Sequence, residues 1–248
     1  MFEFQNKIIE SYPLALVTVV MASCGIGKSR LLQEMILRYL SEDQLSRAVW
    51  LSPLIEVANI ELNYLPQDKR DKMTISGKEN DYLIPDKTEF LFISEPDLFA
   101  LDNPIDLVIS NPKRFSRIAI AGTPSAQMGE SRIANLFYCC NRFCLDVTCP
   151  YEFCAHEFSI GPECLSGVSC PNCGLDEPQE AFTKFSWRQK FTGKPDFNGF
   201  YLNSFYNPLR SWNELIGQYQ KYHEANDFKS LNLFCNTELG LPSPYVSE

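Results

Sequence analysis

The chain has 248 residues, 45% hydrophobic and 21% charged, with a formal net charge of −9. That balance excludes a disordered chain and predicts one large α/β domain, or one domain with a small appendage. The acidic excess argues against a protein that simply coats nucleic acid, so any DNA contact has to be local. No apolar run approaches the roughly 18 residues of a membrane helix, and Met1–Pro13 lacks a signal-peptide pattern, so a soluble, unexported protein is expected.

Phe2–Ile9 (FEFQNKII) reads as a short helix. Its Gln5, placed ahead of a glycine loop, is a candidate adenine-reading residue or an ordinary structural glutamine. Leu14–Met21 is an apolar run rich in β-branched residues and reads as a buried strand. It enters Ala22-Ser23-Cys24-Gly25-Ile26-Gly27-Lys28-Ser29, which fits the Walker A pattern (A or G)-x-x-x-x-G-K-(S or T). Leu32, Met35, Ile36, Tyr39 and Leu40 then recur at helical spacing, so the loop opens an amphipathic helix. The chemistry needs that order. Gly25 and Gly27 let backbone N–H groups close around phosphate oxygens, and the helix N-terminus adds positive potential. Lys28 would reach the β- and γ-phosphates, and the Ser29 hydroxyl would ligate Mg²⁺. The expectation is a nucleotide-binding protein.

Further along, Arg47–Ser52 predicts a second strand and Pro53–Leu62 its helix, with Pro53 suited to a first turn. Residues 63–88 are polar and predict loop or weak surface structure. Glu89–Ser94 predicts a third strand ending at Glu95-Pro96-Asp97, and Arg117–Ala121 a fourth ending at Gly122-Thr123-Pro124-Ser125. Alternating strands and helices argue for a mostly parallel sheet with right-handed crossovers. The phosphate loop, Glu95 and the Gly122–Ser125 segment then all lie at carboxyl ends of strands, where open α/β sheets bind ligands. Glu95 is the candidate for positioning an attacking water. Ser94 stands where such a strand usually presents an aspartate to Mg²⁺, which leaves Asp97 or Asp106 to compensate.

Of ten cysteines, six fall between Cys144 and Cys173. Cys149-Pro-Tyr-Glu-Phe-Cys154 and Cys170-Pro-Asn-Cys173 are separated by fifteen residues, a spacing that fits a closed four-cysteine zinc ribbon. The first pair is wider than usual, so Cys144, His156 and Cys164 stay open as substitute ligands. Cys139, Cys140 and Cys235 are expected to pack as small apolar residues. Lys184–Lys194 (KFSWRQKFTGK) interleaves four cations with three aromatics and has no acid. That composition suits phosphate contacts plus base stacking, or equally a half-packed hairpin.

The motifs in this order resemble the ATPase half of the lambda-like (GpA-type) phage terminase large subunit, the motor that drives viral DNA into a capsid. The resemblance rests on ASCGIGKSR, FLFISEPD, IAIAGTPSAQMGESRI and the cysteine pairs. It continues through Asn198-Gly199-Phe200-Tyr201, Ser211-Trp212-Asn213-Glu214-Leu215 and Phe234-Cys235-Asn236-Thr237-Glu238-Leu239-Gly240. It implies a RecA-like P-loop NTPase fold with a mostly parallel sheet, plus a small zinc-ribbon and helical C-terminal region. The expected division is an ATPase domain over residues 1–140, a ribbon over 141–180, and a linker and helical region over 181–248 that completes the ATPase half. ATP hydrolysis would be coupled to translocation of double-stranded DNA into a procapsid, with Thr123 sensing the γ-phosphate.

Implied cofactors are ATP, Mg²⁺ and Zn²⁺. Implied partners are double-stranded DNA, a portal protein, a small terminase subunit, further copies of the chain and a nuclease on a separate chain, all in the host cytoplasm at the procapsid and away from membrane. Three features depart from the family: Ser29 for threonine, Ser94 for the acid, and a chain that stops at Glu248 where relatives continue into a nuclease domain, so no nuclease activity is expected here. Two other readings stay open, a helicase-like DNA-dependent ATPase and a non-catalytic nucleotide- and zinc-binding prophage remnant. Arg30, Arg117 and Arg132 are the candidate arginine fingers.

Overall fold

The structure is a computed structural model that describes residues 3–40, 47–53, 55–77, 84–86, 88–99, 103–125, 129–176 and 178–244. Its strands are β1 (Val17–Ala22), β2 (Ala48–Leu51), β3 (Met73–Ser76), β4 (Phe90–Ser94), β5 (Arg117–Gly122), β6 (Cys140–Thr148), β7 (Glu157–Ser159), β8 (Phe185–Phe191) and β9 (Lys194–Leu202). Its helices are α1 (Glu3–Ser11), α2 (Lys28–Tyr39), α3 (Ile55–Leu62), the short α4 (Gln67–Arg70), α5 (Pro104–Ser110), α6 (Arg132–Cys139), α7 (Trp212–Glu224) and α8 (Phe228–Thr237). The strands form one sheet in the order β3-β2-β4-β5-β1-β9-β6-β7, with β8 also paired to β6. From β3 to β6 along that order every pairing is parallel, and β7 and β8 run antiparallel to β6. This is the mostly parallel α/β sheet expected of a RecA-like domain.

All six residues of β1 are buried. Val17, Val19 and Met21 enter the apolar layer beneath α5 and α6, while Val20 and Ala22 enter the opposite layer with α1, α2 and α8. A strand covered on both faces has no polar side to show, which is why it reads as one continuous apolar run. Each such buried valine contributes about 1.5–3 kcal/mol. One layer packs Ile105, Val108, Ile133 and Phe137 against Ile93 and Ile118. The other packs Ile8, Leu32, Met35 and Phe234 against Trp50, Phe92 and Phe200. The helices therefore cover both faces and leave the carboxyl ends of the central strands clear.

Several elements differ from expectation. The first strand starts at Val17, because Tyr12–Leu14 forms a 3-10 turn around Pro13 and leaves Leu14 exposed. The polar stretch 63–88 holds α4 and the edge strand β3, which is half-buried and so shows little apolar signal; residues 78–83 and 87 of it lie outside the described residues. Lys184–Lys194 is not a hairpin. β8 and β9 pair with β6 and not with each other, and the chain crosses between them at Gly193. A Cβ there would lie 2.3 Å from the Cys140 carbonyl oxygen, so only glycine permits the crossing. Strand β9 lies between β1 and β6, which makes part of the C-terminal region 181–248 central to the sheet. Gly199 on β9 is needed because a Cβ would come within 2.8 Å of the Phe137 ring of α6. Cys140 and Cys235 are buried as expected, but Cys139 is exposed.

Candidate nucleotide site and cysteine cluster

Between β1 and α2 the loop turns twice through left-handed backbone, at Gly25 (φ +72°) and Gly27 (φ +86°). Three neighbours distant in sequence hold it. Ser23 N–H donates to Leu202 O at 3.0 Å and Cys24 N–H to Thr237 O at 2.7 Å. Gly240 (φ +61°) packs so closely that a Cβ would lie 2.6 Å from Ser23 N. From the other side buried Gln5 donates its Nε2 to Ile26 O at 2.7 Å, so a loop-bracing role for Gln5 has a contact behind it. Ala22 is the buried end of β1. With the Ser23 and Cys24 amides engaged, the N–H groups that remain for phosphate oxygens begin at Gly25 and run into the first turn of α2.

The side chains converge from the start of α2 and from just past the ends of β4 and β5. Lys28 Nζ donates to Ser23 O at 2.9 Å and to Thr123 Oγ1 at 2.7 Å, and lies 3.2 Å from Glu95 Oε1. The other Glu95 oxygen accepts the Thr123 N–H at 2.8 Å. Strand β5 lies between β1 and β4, so Thr123 emerges midway between the loop and Glu95. Glu95 has φ +46°, a conformation that costs a non-glycine residue about 1 kcal/mol or more. It is held there by its N–H on Ala121 O at 2.8 Å and by both carboxylate oxygens. Gly122 allows the turn, since a Cβ would meet Pro96 Cδ at 2.7 Å.

The two acids considered as replacements at Ser94 are committed elsewhere. Asp97 accepts from Ser131 Oγ at 2.5 Å, Ile133 N at 2.9 Å and Ser125 N at 3.2 Å, fixing the start of α6. Asp106 pairs with Arg132 at 2.9 Å. Ser94 itself is buried and accepts from Trp50 Nε1 at 3.3 Å. A residue the sequence did not single out, Glu61 on α3, has its pKa raised from the ordinary carboxylate value chiefly by burial, with Ser29 opposing the shift and the Glu95 charge adding to it. Nothing in the local pattern around Glu61 separates it from the surface acids. Of the arginine candidates, Arg30 pairs with Glu34 at 3.0 Å and Arg117 donates to Pro13 O at 2.7 and 3.1 Å. Residues 126–128 of the segment after Thr123 lie outside the described residues.

Cys149, Cys154, Cys170 and Cys173 bring their sulfurs within 4.8 Å of one another. The Cys149–Cys173 and Cys154–Cys170 separations are 3.8 and 3.6 Å, far beyond a disulfide bond. Thiolates at the usual ~2.3 Å from one tetrahedral Zn²⁺ stand about 3.8 Å apart, so the donor set fits that ion. Left-handed Gly174 (φ +71°) closes the second knuckle through its N–H on Cys170 O at 2.8 Å. Cys144 lies in β6 and Cys164 in a separate 3-10 turn, and neither joins the cluster; nor does His156.

The 184–194 stretch is occupied internally. Asp146, fully buried in β6, lies 3.1 Å from Arg188 and 2.9 Å from Lys190, and Arg188 also pairs with Glu157 at 2.5 Å. Trp187 donates to Phe4 O at 2.8 Å, and the Arg142 guanidinium stacks 3.6 Å over Phe191. Two of the four cations and the tryptophan thus serve the fold, which leaves Lys184 and Lys194 outside the pairs.

Fold and loop together have the arrangement of a RecA-like P-loop domain. Among solved structures, a mutant of the large-terminase ATPase domain of Thermus phage P74-26 matches with TM-score 0.57 at 13% identity, over 98% of this chain and 94% of that one. The unmutated domain matches with TM-score 0.53 at 11% identity, over 97% of this chain and 93% of that chain. The large terminase of bacteriophage HK97 matches with TM-score 0.52 at 12% identity, over all of this chain but about half (52%) of that one. The fold is that of large-terminase ATPase domains. Residues 197–247 match the family model described as the endonuclease domain of terminase large subunit gpA. In this chain that stretch begins within β9, beside β1, and includes α7, α8 and Gly240 under the phosphate loop. No curated protein sequence matches the chain. Among the described residues no helix is long and apolar enough to cross a membrane.

Proposed function

We propose that this chain is the ATP-hydrolysing part of a lambda-like phage terminase large subunit, a motor that moves double-stranded DNA into a procapsid. The observation that carries the reading is the Lys28–Glu95–Thr123 cluster, where Lys28 at the start of α2 touches both the Glu95 carboxylate and the Thr123 hydroxyl and the carboxylate also accepts the Thr123 N–H, beside the phosphate loop. ATP would lay its β- and γ-phosphates against the N–H groups of Gly25 to Ser29, with Lys28 turning from Ser23 O and Thr123 to phosphate oxygens. Freed of Lys28, Glu95 orients the attacking water. Thr123, whose N–H sits on the same carboxylate, feels the presence or loss of the γ-phosphate and carries it to the segment leading into α6. Ser29 is the hydroxyl that would hold Mg²⁺, which would supply charge neutralisation when bound.

The four thiols hold Zn²⁺ as a closed structural staple with no position for catalysis. Cutting DNA is not assigned to this chain. With Arg30, Arg117 and Arg132 all engaged within the chain, the arginine that speeds turnover comes from a neighbouring copy, and portal, small subunit and a separate nuclease complete the machine.

The test is ATP hydrolysis by the purified chain with and without duplex DNA. Slow basal turnover that duplex DNA accelerates supports the motor. Strand separation without movement along duplex would favour a helicase-like ATPase, and nucleotide bound but never hydrolysed would mark a non-catalytic remnant.

A further inference from the structure

We infer that the cleft between α1 and β8 is a groove for an unpaired nucleic-acid strand, which stacks a base on Phe185 and sets phosphates on Lys7 and Lys184. The cleft has a volume of about 450 Å³, and Phe4, Lys7, Leu145, Lys184, Phe185 and Trp187 line it. That is within the size range of small-ligand pockets. Its walls follow from the alternation of β8, since side chains two apart share one face of a strand. In the pairing with β6, Ser186 lies opposite Asp146 and Trp187 opposite Leu145. The Asp146 face takes the paired groups: Ser186 donates to Glu157, and Arg188 and Lys190 hold Asp146. The other face takes Phe185 and Trp187, over Leu145. Across the cleft α1 contributes Phe4 and Lys7, one turn apart.

Ring surface, charge and rigidity select the occupant. Phe185 is 43% exposed, with the Phe4 ring 6.1 Å away between centroids, so an aromatic face stays open to solvent. Lys7 and Lys184 are both exposed and have no acidic partner among the described residues. No acid occurs between Ala181 and Pro195. In a chain of net charge −9 this is a local reversal of sign, complementary to phosphate. Open rings beside cations are what single-strand grooves use, because every base has a face to stack and its backbone needs positive charge alongside. A duplex keeps its bases within its own stack, so it can offer this cleft phosphates but no base face. The α1 wall is also anchored on both sides. Trp187 Nε1 donates to Phe4 O at 2.8 Å, and the next residue, Gln5, holds Ile26 O of the phosphate loop at 2.7 Å. A groove whose walls are already ordered binds without spending affinity on ordering them.

Fluorescence anisotropy on the full chain tests the groove, with labelled oligothymidylate of about 12 nucleotides and a duplex of the same length as probes. ATP and ADP are left out, so the result bears on the groove alone and not on the nucleotide reading. The parent is expected to prefer the single strand. Phe185→Ala should weaken the single strand about 10-fold and leave the duplex within about 2-fold of the parent. Lys7→Gln combined with Lys184→Gln should lower the slope of log affinity against log salt by about 1. Trp187 also reports the site directly, since Trp50 and Trp212 are buried. Its fluorescence should be quenched by the unlabelled strand, and the quench should vanish in Trp187→Phe. A parent that binds duplex as tightly as single strand overturns the inference, and so does a Phe185→Ala chain with parent affinity. Equal competition by polyglutamate of matched charge also overturns it, because a bare cationic patch or an acidic protein partner would then suffice. Should Phe185→Ala fail to fold, Phe185→Tyr and Phe185→Leu decide: the ring-bearing variant should keep the parent affinity and the aliphatic one lose it, and equal affinities overturn the groove.

Discussion

At the carboxyl ends of β1, β4 and β5 the polar groups come from residues as far apart as Lys28, Glu95 and Thr123, while the four thiols beyond β6 come from two knuckles within one short stretch. The first site is open and strained: Glu95 sits at φ +46°, and Lys28 is shared among three oxygens. The second is closed, with its four sulfurs turned on each other. The difference separates a place built to change partners from a place built to keep them. It also predicts that the two regions fail independently.

Replacing Lys28 by Ala should have the largest effect, because it removes the cation that joins loop, carboxylate and Thr123. Turnover should fall by at least about 10²–10³-fold with weaker ATP binding and an unchanged zinc content, read by phosphate release and metal analysis. Glu95→Gln should separate binding from chemistry. Its hydrolysis should drop by about 10²-fold or more while ATP stays bound, and turnover at the parent rate would reduce Glu95 to a brace for Thr123.

Zinc removal attacks the other region. Protein purified under reducing conditions should carry about one Zn²⁺ per chain, and chelation should open residues 149–182 to protease before nucleotide affinity changes. A zinc-free preparation would remove the staple, and simultaneous loss of both properties would show the regions to be one.

Gly240→Ala is smaller and crosses the divide from a distance. A side chain at φ +61° with its Cβ 2.6 Å from Ser23 N should cost about 1–3 kcal/mol in urea unfolding and loosen nucleotide binding, although Gly240 precedes no motif of its own chemistry. The smallest change is expected from Arg188→Ala. Asp146 keeps Lys190 and Ser159 as partners, and Arg188 is half exposed, so the loss should be about 1–2 kcal/mol of stability. Weaker DNA binding at unchanged stability would instead return this face to the nucleic-acid reading.

The strand–loop–helix around Lys28, the cysteine knuckles and the continuous apolar strands were legible in the sequence because each is contiguous. Backbone conformation, metal-ligand spacing and hydrophobic run length are local properties, and the residues that express them lie side by side in the chain. Which strands neighbour each other is not local. Every parallel strand buried on two faces presents the same kind of side chain, so nothing in Lys194–Leu202 announces that it lies beside β1, and only the packing of α6 over Gly199 and the crossing at Gly193 admit it there. The same holds for the polar groups. Asp97 looked free to serve a metal and instead caps α6, and Arg188 and Lys190, two of the four cations of 184–194, instead pair with Asp146. A buried or half-buried charge takes whichever partner the fold brings within reach, and that choice is made across the sheet rather than along the chain.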